Sequence, residues 1–232
     1  MNYKKIERND KYCKFYLNKK SKKPLRSDLK QKDISPYKQG LRDVIIDAAI
    51  KSFAEKGIRS VKMDDVAAEL SISKRTLYEI FDRKEDLLFE GVKLFYQNRT
   101  AVMEVKAQHC KNVIEIILEA YRMKVEEVRQ TNPQFYADLV KYPKVAQFLN
   151  EQNLQMRVKM QKFIQRGINE GFFRDDVNYE IVGRLFDAIG KYVVDNQLYR
   201  QYTIEELFHN LVFVSLRGMC TEKGVKALAK ML

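Results

Sequence analysis

Histidine occurs only at His109 and His209, a hundred residues apart. That scarcity removes the H-E-x-x-H type of metal site. Cysteine is nearly as sparse: Cys13, Cys110 and Cys220 are odd in number, far apart and form no C-x-x-C pair. That spacing argues against a disulfide framework or a zinc site, and the three read as ordinary reduced thiols, with redox sensing as the minor alternative. Glycine-rich phosphate loops and a G-x-S-x-G elbow are missing as well. The adjacent carboxylates Asp64-Asp65 and Glu126-Glu127 lie in helical stretches and project in different directions, so they read as a capping pair and a solvated face. No catalytic constellation emerges; the expectation is a non-enzyme without metal or cofactor.

Long apolar runs are lacking too. None approaches the ~20 residues that cross a bilayer, and the charged N-terminus has no apolar segment of a secretory signal. A cytoplasmic protein with no membrane partner is expected. With 45% hydrophobic residues in 232, the chain is globular and long enough to bury a substantial core.

Charge is present but uneven. The net charge is +12. Residues 1–39 hold thirteen Lys/Arg against four Asp/Glu, a balance of +9, which leaves +3 for all the rest. The basicity therefore belongs to the N-terminal segment and is no evidence that the folded part binds nucleic acid. That segment has no sustained apolar period and carries Pro24 and Pro36. It reads as a basic, disordered extension. A solubilising tail or an over-long gene start is the favoured reading, against an arm that reaches phosphate or the minor groove.

The informative stretch is Gly57 to Leu88. Before it, Ile46, Ala49, Ile50 and Phe53 recur at i, i+3, i+4, i+7 and predict a helix over Leu41 to Lys56, closed by Gly57 at C′. Met63, Val66, Ala67 and Leu70 repeat the pattern. Ser71 and Ile72 form a turn, and Ser73 is a good N-cap for a short helix from Lys74 to Ile80. Ile72 and Leu77 take the hydrophobic-staple positions. Leu77 and Phe81 face inward, leaving Lys74, Arg75, Thr76, Tyr78 and Glu79 for solvent or DNA. Asp82, with Glu85 three residues on, suits the cap of a third helix. Helix, short turn, helix is the helix-turn-helix signal, in which the second helix enters the major groove. The competing reading is an ordinary packed three-helix unit.

Ile46, Ala48, Ala49, Phe53 and Gly57, followed by M-D-D-V-A, L-S-I-S-K-R-T-L-Y-E-I-F and D-R-K-E-D-L-L, resemble the DNA-binding domain of the TetR family of bacterial repressors. The likeness runs without a gap over about residues 40–90. It implies an all-helical homodimer with a variable C-terminal domain that binds a small molecule. It also carries Tyr78 and Lys84 over as phosphate contacts. Lys62 and Ser73 are added by position, and Lys74, Arg75, Thr76 and Glu79 as the exposed start and outer face of the reading helix. Two positions depart from the family pattern. Lys62 replaces a threonine that caps, and Ser71 stands where the turn has glycine, at a cost of about 1 kcal/mol if the backbone is left-handed.

Beyond this head, a long helix is expected from Arg83 to about Lys106 with Leu88, Phe95, Val102 and Val105 as its inner stripe. Further helices follow over Val113–Gln130, after Asn132-Pro133, and from Pro143 to about Glu170. The last two long helices, about Tyr179–Tyr199 and Ile204–Met219, are the most apolar and read as buried on all sides. A four-helix dimer interface is expected from Ile181, Leu185, Phe186, Ile189 and Val193 on one, and Leu207, Leu211, Val214 and Gly218 on the other. Residues suited to an apolar or amphipathic ligand are Phe95, Tyr96, Met103, Tyr121 and Met123, with Phe135, Tyr136, Phe148, Met156 and Met160.

The expected architecture is all-α: the extension 1–39, a helix-turn-helix DNA-binding domain over 40–85, and a helical ligand-binding and dimerisation domain over 86–232. The expected function is a sequence-specific transcriptional regulator, a repressor released from a palindromic operator by a small molecule. A dimeric helical carrier or interaction module with vestigial DNA binding is the alternative.

Overall fold

A computed structural model describes residues 36–230. The expectations for the extension therefore lie, up to residue 35, outside the described residues. Among the described residues the secondary structure is helical, and the only extended pairing is one antiparallel bridge between Phe173 and Cys220.

Helix α1 (Pro36–Lys56) begins five residues before the expected Leu41. Pro36 heads it, where its fixed φ suits a helix and its missing N–H costs nothing. Gly57 ends it at φ +84°, with its N–H donating to the Phe53 carbonyl at 2.9 Å. Helices α2 (Met63–Glu69) and α3 (Lys74–Ile80) follow, joined by the turn at Ser71 and Ile72. Ser71 holds φ +53°, so a serine does sit where glycine would relieve strain. Helix α4 (Lys84–His109) has Arg83, not Asp82, at its N-cap, and the Arg83 side chain makes no capping bond. Val105, expected inside its stripe, is 52% exposed. The apolar period of α4 thus fades toward its C-terminal end, where no neighbour covers that face of the single chain.

The first core gathers Ile45, Ile46, Ala49 and Phe53 of α1, Met63, Val66 and Ala67 of α2, and Leu77 of α3 on Leu87, Leu88 and Val92 of α4. Gly91 lets α1 and α4 close up, since a Cβ there would meet the Ile50 Cβ at 3.1 Å. This core does not stop at residue 85. Phe135 and Leu139 of α6 (Pro133–Leu139) and Val145 of α7 (Pro143–Asn169) belong to it. The Asn132 N–H also donates to the Ala54 carbonyl at the end of α1, at 2.7 Å.

A second core lies at the far end. Val113, Ile114 and Leu118 of α5 (Val113–Gln130) pack with Phe173, Phe213, Leu216, Met219 and Leu228. The chain after α7 enters α8 (Tyr179–Asp195) and a 3-10 turn at Leu198–Arg200. The next helix is not regular. It runs as α9 (Ile204–Leu207), a π-helical turn (Phe208–Phe213) and α10 (Val214–Met219), and then α11 (Glu222–Ala229) closes the description.

Within the single chain the last long helices are not buried on all sides. No residue of α8 is buried in the single chain; Ile181 is 64% and Leu185 49% exposed. Val214 is 57% exposed although Phe213 beside it is 3% exposed. Phe186, Ile189, Val193 and Leu211 are half-buried, and Gly218 is exposed. Leu207 is instead buried in its own chain, which removes it from any outer surface. The π turn accounts for part of this. A wider turn shifts the faces that follow it, and periodicity at 3.6 residues does not register that shift.

Candidate nucleic-acid interface

Helix α3 is short and held by three local devices. The Ser73 hydroxyl accepts from the Thr76 N–H at 3.0 Å, capping the first turn. Leu77 is fully buried and Phe81 nearly so, which fixes one face against α1 and α2. The Arg42 guanidinium lies over the Phe81 ring at 5.1 Å and backs it from α1. What remains outward is the opposite face of α3.

On that face Arg75 is the most open side chain, 89% exposed, and its Nε donates to Glu79 Oε1 at 3.1 Å. Lys74 Nζ lies 2.7 Å from Asp64 Oδ2 of α2, and that hydrogen bond raises the ammonium pKa. Tyr78 is 46% exposed. Thr76 is half-buried, its hydroxyl sharing a 2.7 Å hydrogen bond with that of Ser73. Glu79 accepts from both Lys38 and Arg75, which together hold its carboxyl below the usual range. Seven of the eight expected DNA-contact residues, Lys62 and Ser73 to Thr76 with Tyr78 and Glu79, thus lie on or beside one exposed surface.

Lys62 sits at the N-cap of α2 and makes no side-chain cap, as expected for lysine. The helix start is nevertheless secured from the other side: the Lys62 backbone N–H donates to Asp65 Oδ2 at 2.8 Å. Its own ammonium is left exposed.

Lys84 is the correction. Its ammonium is turned inward and donates to the carbonyls of Ile58 and Val61, beneath the turn that leads into α2. It also stands 5.5 Å from the Phe53 ring centroid. Burial lowers its pKa, with Asp65 and Asp138 opposing. It braces the head rather than presenting to a phosphate. Nothing in local spacing reveals this, because the partners are 23 and 26 residues away.

Two contributors went unread in the sequence. Lys38 reaches Glu79 across 41 residues, at 3.0 Å. Asp138 of α6 is fully buried and draws in Arg59, at 3.8 Å, from the turn before α2. Burial would raise the Asp138 carboxyl, but hydrogen bonds from Lys141 and Gln134 lower it on balance.

The expected ligand residues do not converge on one cavity. Phe135 is buried in the first core. Tyr121 packs on Phe208 and Phe213, with ring centroids at 5.2 and 5.0 Å. Met156 and Met160 are 51% and 45% exposed, because the middle of α7 stands clear of the single chain. Phe95, Met103 and Met123 are half-buried on separate turns. Tyr96 meets Phe148 edge-on at 5.9 Å and Phe95 at 6.1 Å, and Phe135 lies 5.7 Å from Tyr136; Tyr96, Tyr136 and Phe148 pack against the first core. The Tyr136 hydroxyl donates to Glu127 Oε1 at 2.6 Å, and Lys124 and Arg99 flank the same carboxylate. A surface cleft of 690 Å³ is lined by other residues, among them Asn112, Phe172 and Lys223. Another, of 410 Å³, lies beside Lys106, Cys110 and Arg122. No described helix is long and apolar enough to cross a membrane.

A capped seven-residue helix, pinned by one buried leucine and exposed along its far side, with a short helix braced behind it, defines a helix-turn-helix DNA-binding protein. Residues 45–90 match the model for bacterial regulatory proteins of the tetR family. The match covers the helix-turn-helix head and supports a DNA-binding regulator of transcription of that family. It is 26% identical over 149 residues to the HTH-type transcriptional repressor KstR2 of Mycobacterium tuberculosis, covering 62% of this chain and 74% of that one. It is 25% identical over 103 residues to the IcaR negative regulator of the icaADBC biofilm operon of Staphylococcus aureus, covering 44% and 55%. Among solved structures, a transcriptional regulator from Saccharomonospora viridis in complex with choline superposes with a TM-score of 0.65. It is 19% identical and covers 79% of this chain and all of that one. That likeness extends the shared helical fold into the C-terminal part.

Proposed function

We propose that this protein is a homodimeric repressor that reads a palindromic operator with α3 and releases it when a small apolar or amphipathic molecule binds the C-terminal helices. The observation that carries the reading is the exposed face of α3, fixed in place by the Ser73 cap and the buried Leu77. Positioning falls to the ammonium of Lys62, the Ser73 hydroxyl and the Tyr78 phenol, which suit phosphate oxygens. Base reading falls to Lys74, Arg75, Thr76 and Glu79. Arg75 matches the paired acceptors of guanine, and Thr76 the methyl of thymine. Two-fold pairing of subunits would make the operator a repeated half-site.

Repression is supported by the curated relatives, which are named as repressors or negative regulators. Ligand release is supported by Tyr96, Tyr136 and Phe148 grouped beside Arg99, Lys124 and Glu127. This partly buried cluster offers both rings and charge where α4, α5, α6 and α7 meet. A molecule that binds one spacing of the two heads better than the other shifts DNA affinity by that difference alone. The test is selection of duplexes from a random-sequence pool, followed by affinity measurements on the Arg75→Ala/Tyr78→Ala double variant. The variant is expected to lose discrimination between selected and scrambled duplexes. Discrimination that survives removes α3 as the reading element.

A further inference from the structure

Asp64 and Asp65 are adjacent in the first turn of α2 and do different things. Asp65 Oδ2 accepts from the Lys62 backbone N–H at 2.8 Å and secures the helix start. Asp64 turns the other way. Its Oδ2 lies 2.7 Å from Nζ of Lys74, the first residue of α3. Two other acids of the head have partners of their own. Glu69 accepts from the Ser52 hydroxyl at 2.8 Å, and Glu79 lies between Lys38 and Arg75.

The Asp64 and Lys74 side chains are 44% and 68% exposed. An ion pair so open adds little to stability. A carboxylate beside a DNA-facing helix also costs affinity, because it repels the phosphates that supply sequence-independent grip. Selectivity accounts for it better, since discrimination rises when wrong partners are made worse as well as when right ones are made better.

The chemistry of Lys74 shows how. An ammonium carries three N–H donors. Asp64 takes one, and two remain for acceptors in front of α3. Guanine presents O6 and N7 side by side in the major groove, so the lysine can meet them without leaving Asp64. A backbone phosphate flanks the groove. To reach it the lysine must leave Asp64, and the phosphate then faces a bare carboxylate.

We propose that Asp64 is a specificity-determining residue, which holds Lys74 to the bases and denies it to the phosphate backbone. This rests on the reading of α3 as the DNA-facing helix.

The experiment measures affinity of the full chain by fluorescence anisotropy between about 50 and 200 mM salt. Two duplexes are used, one selected by the unaltered chain from a random pool and one scrambled. In Asp64→Asn the released lysine gains a phosphate contact in each bound subunit. The slope of log K against log salt on the scrambled duplex should steepen by about 0.9 per subunit, or ~1.8 for two. At about 50 mM salt that duplex should bind at least ~10-fold tighter, and the selected duplex should gain less, so their ratio falls. Lys74→Gln removes the group on which Asp64 acts. In that background Asp64→Asn should change the slope by less than about 0.9 and leave the ratio unmoved. Three results overturn the proposal: a steepening below about 0.9 when Lys74 is present, a ratio that does not fall, or the same gain with and without Lys74. The last would make Asp64 a general repulsive charge. The Arg75→Ala/Tyr78→Ala variant is run beside these. If it keeps the ratio of the unaltered chain, the fault lies with α3 and not with Asp64.

Discussion

Lys84 shows how far one residue's role depends on where its side chain is sent. At the first turn of α4 an ammonium can swing outward to a phosphate or inward to carbonyls. Here the carbonyls of Ile58 and Val61 face it, and the Phe53 ring lies beneath. Charged hydrogen bonds to buried acceptors are worth ~1.5–3 kcal/mol each, and leaving an acceptor unpaired costs about as much. Lys84→Met is therefore expected to lower the stability of the whole protein by about 2 kcal/mol or more, read as the shift of a urea denaturation midpoint. DNA binding should weaken only to the extent that the head loosens. A variant that denatures like the unaltered chain but binds DNA with a shallower salt slope would return Lys84 to the phosphate-contacting set. Ser73 is the opposite case. Its cap is a contact three residues long, and local chemistry alone predicts it.

At the scale of elements, the joint between α5, α6 and the DNA-binding head is built on buried charge. Glu127 lies among Lys124, Arg99 and the Tyr136 hydroxyl. Burial raises its pKa, but Lys124 first and then Arg99 and Tyr136 outweigh it, so the carboxyl is lowered overall. A carboxyl lowered in the folded state contributes stability that is fully present above the unfolded value of about 4.3. That stability is lost as pH falls through the lower folded value. Urea midpoints taken between pH 5 and pH 3 are thus expected to fall, and Glu127→Gln to flatten part of that fall. At pH 7 the glutamine variant should already be less stable by ~3 kcal/mol, because Lys124 is left buried without its partner. If its acid profile runs parallel to that of the unaltered chain, Glu127 is not part of the acid response. None of this joint was legible beforehand. The helix-turn-helix was, because its caps, its staple and its apolar repeat all act within a few residues. The contact from Asn132 to Ala54 spans 78 residues, and Lys38 meets Glu79 across 41. Such pairings leave no periodic trace. The π turn at Phe208–Phe213 hid the facing of Val214 for a related reason, since it breaks the 3.6-residue period by which faces are assigned.

The single chain leaves apolar surface uncovered on α7, α8 and α10, among other places. Ile181 and Leu185 of α8 and Val214 of α10 are each about half exposed or more. The same holds for Leu154, Met156, Val158 and Met160 of α7. Arg157 of α7 lies 2.7 Å from Asp187 of α8, an ion pair that links these two helices at that point. Monomeric proteins rarely leave contiguous apolar patches of more than a few hundred Å². A stable partner interface buries about 1,200–2,000 Å² in total. On the proposed reading as a two-fold DNA reader, a second copy of the chain would be the occupant, and the exposed side of α7 would join α8 and the last long helix in that interface. Two carboxylates placed in the patch, Ile181→Glu with Leu185→Glu, would have to be buried unpaired on association. Sedimentation equilibrium should then give the mass of one 27.4 kDa chain instead of two. Helical content should stay the same, because neither position is buried within the single chain. Affinity for a duplex with two half-sites should fall by at least ~10², since the second head no longer benefits from the effective concentration that linkage provides. Affinity for a single half-site should change little. A variant that keeps twice the monomer mass would place the subunit contact elsewhere, and one that is monomeric yet binds the full site as before would show that two heads never act together.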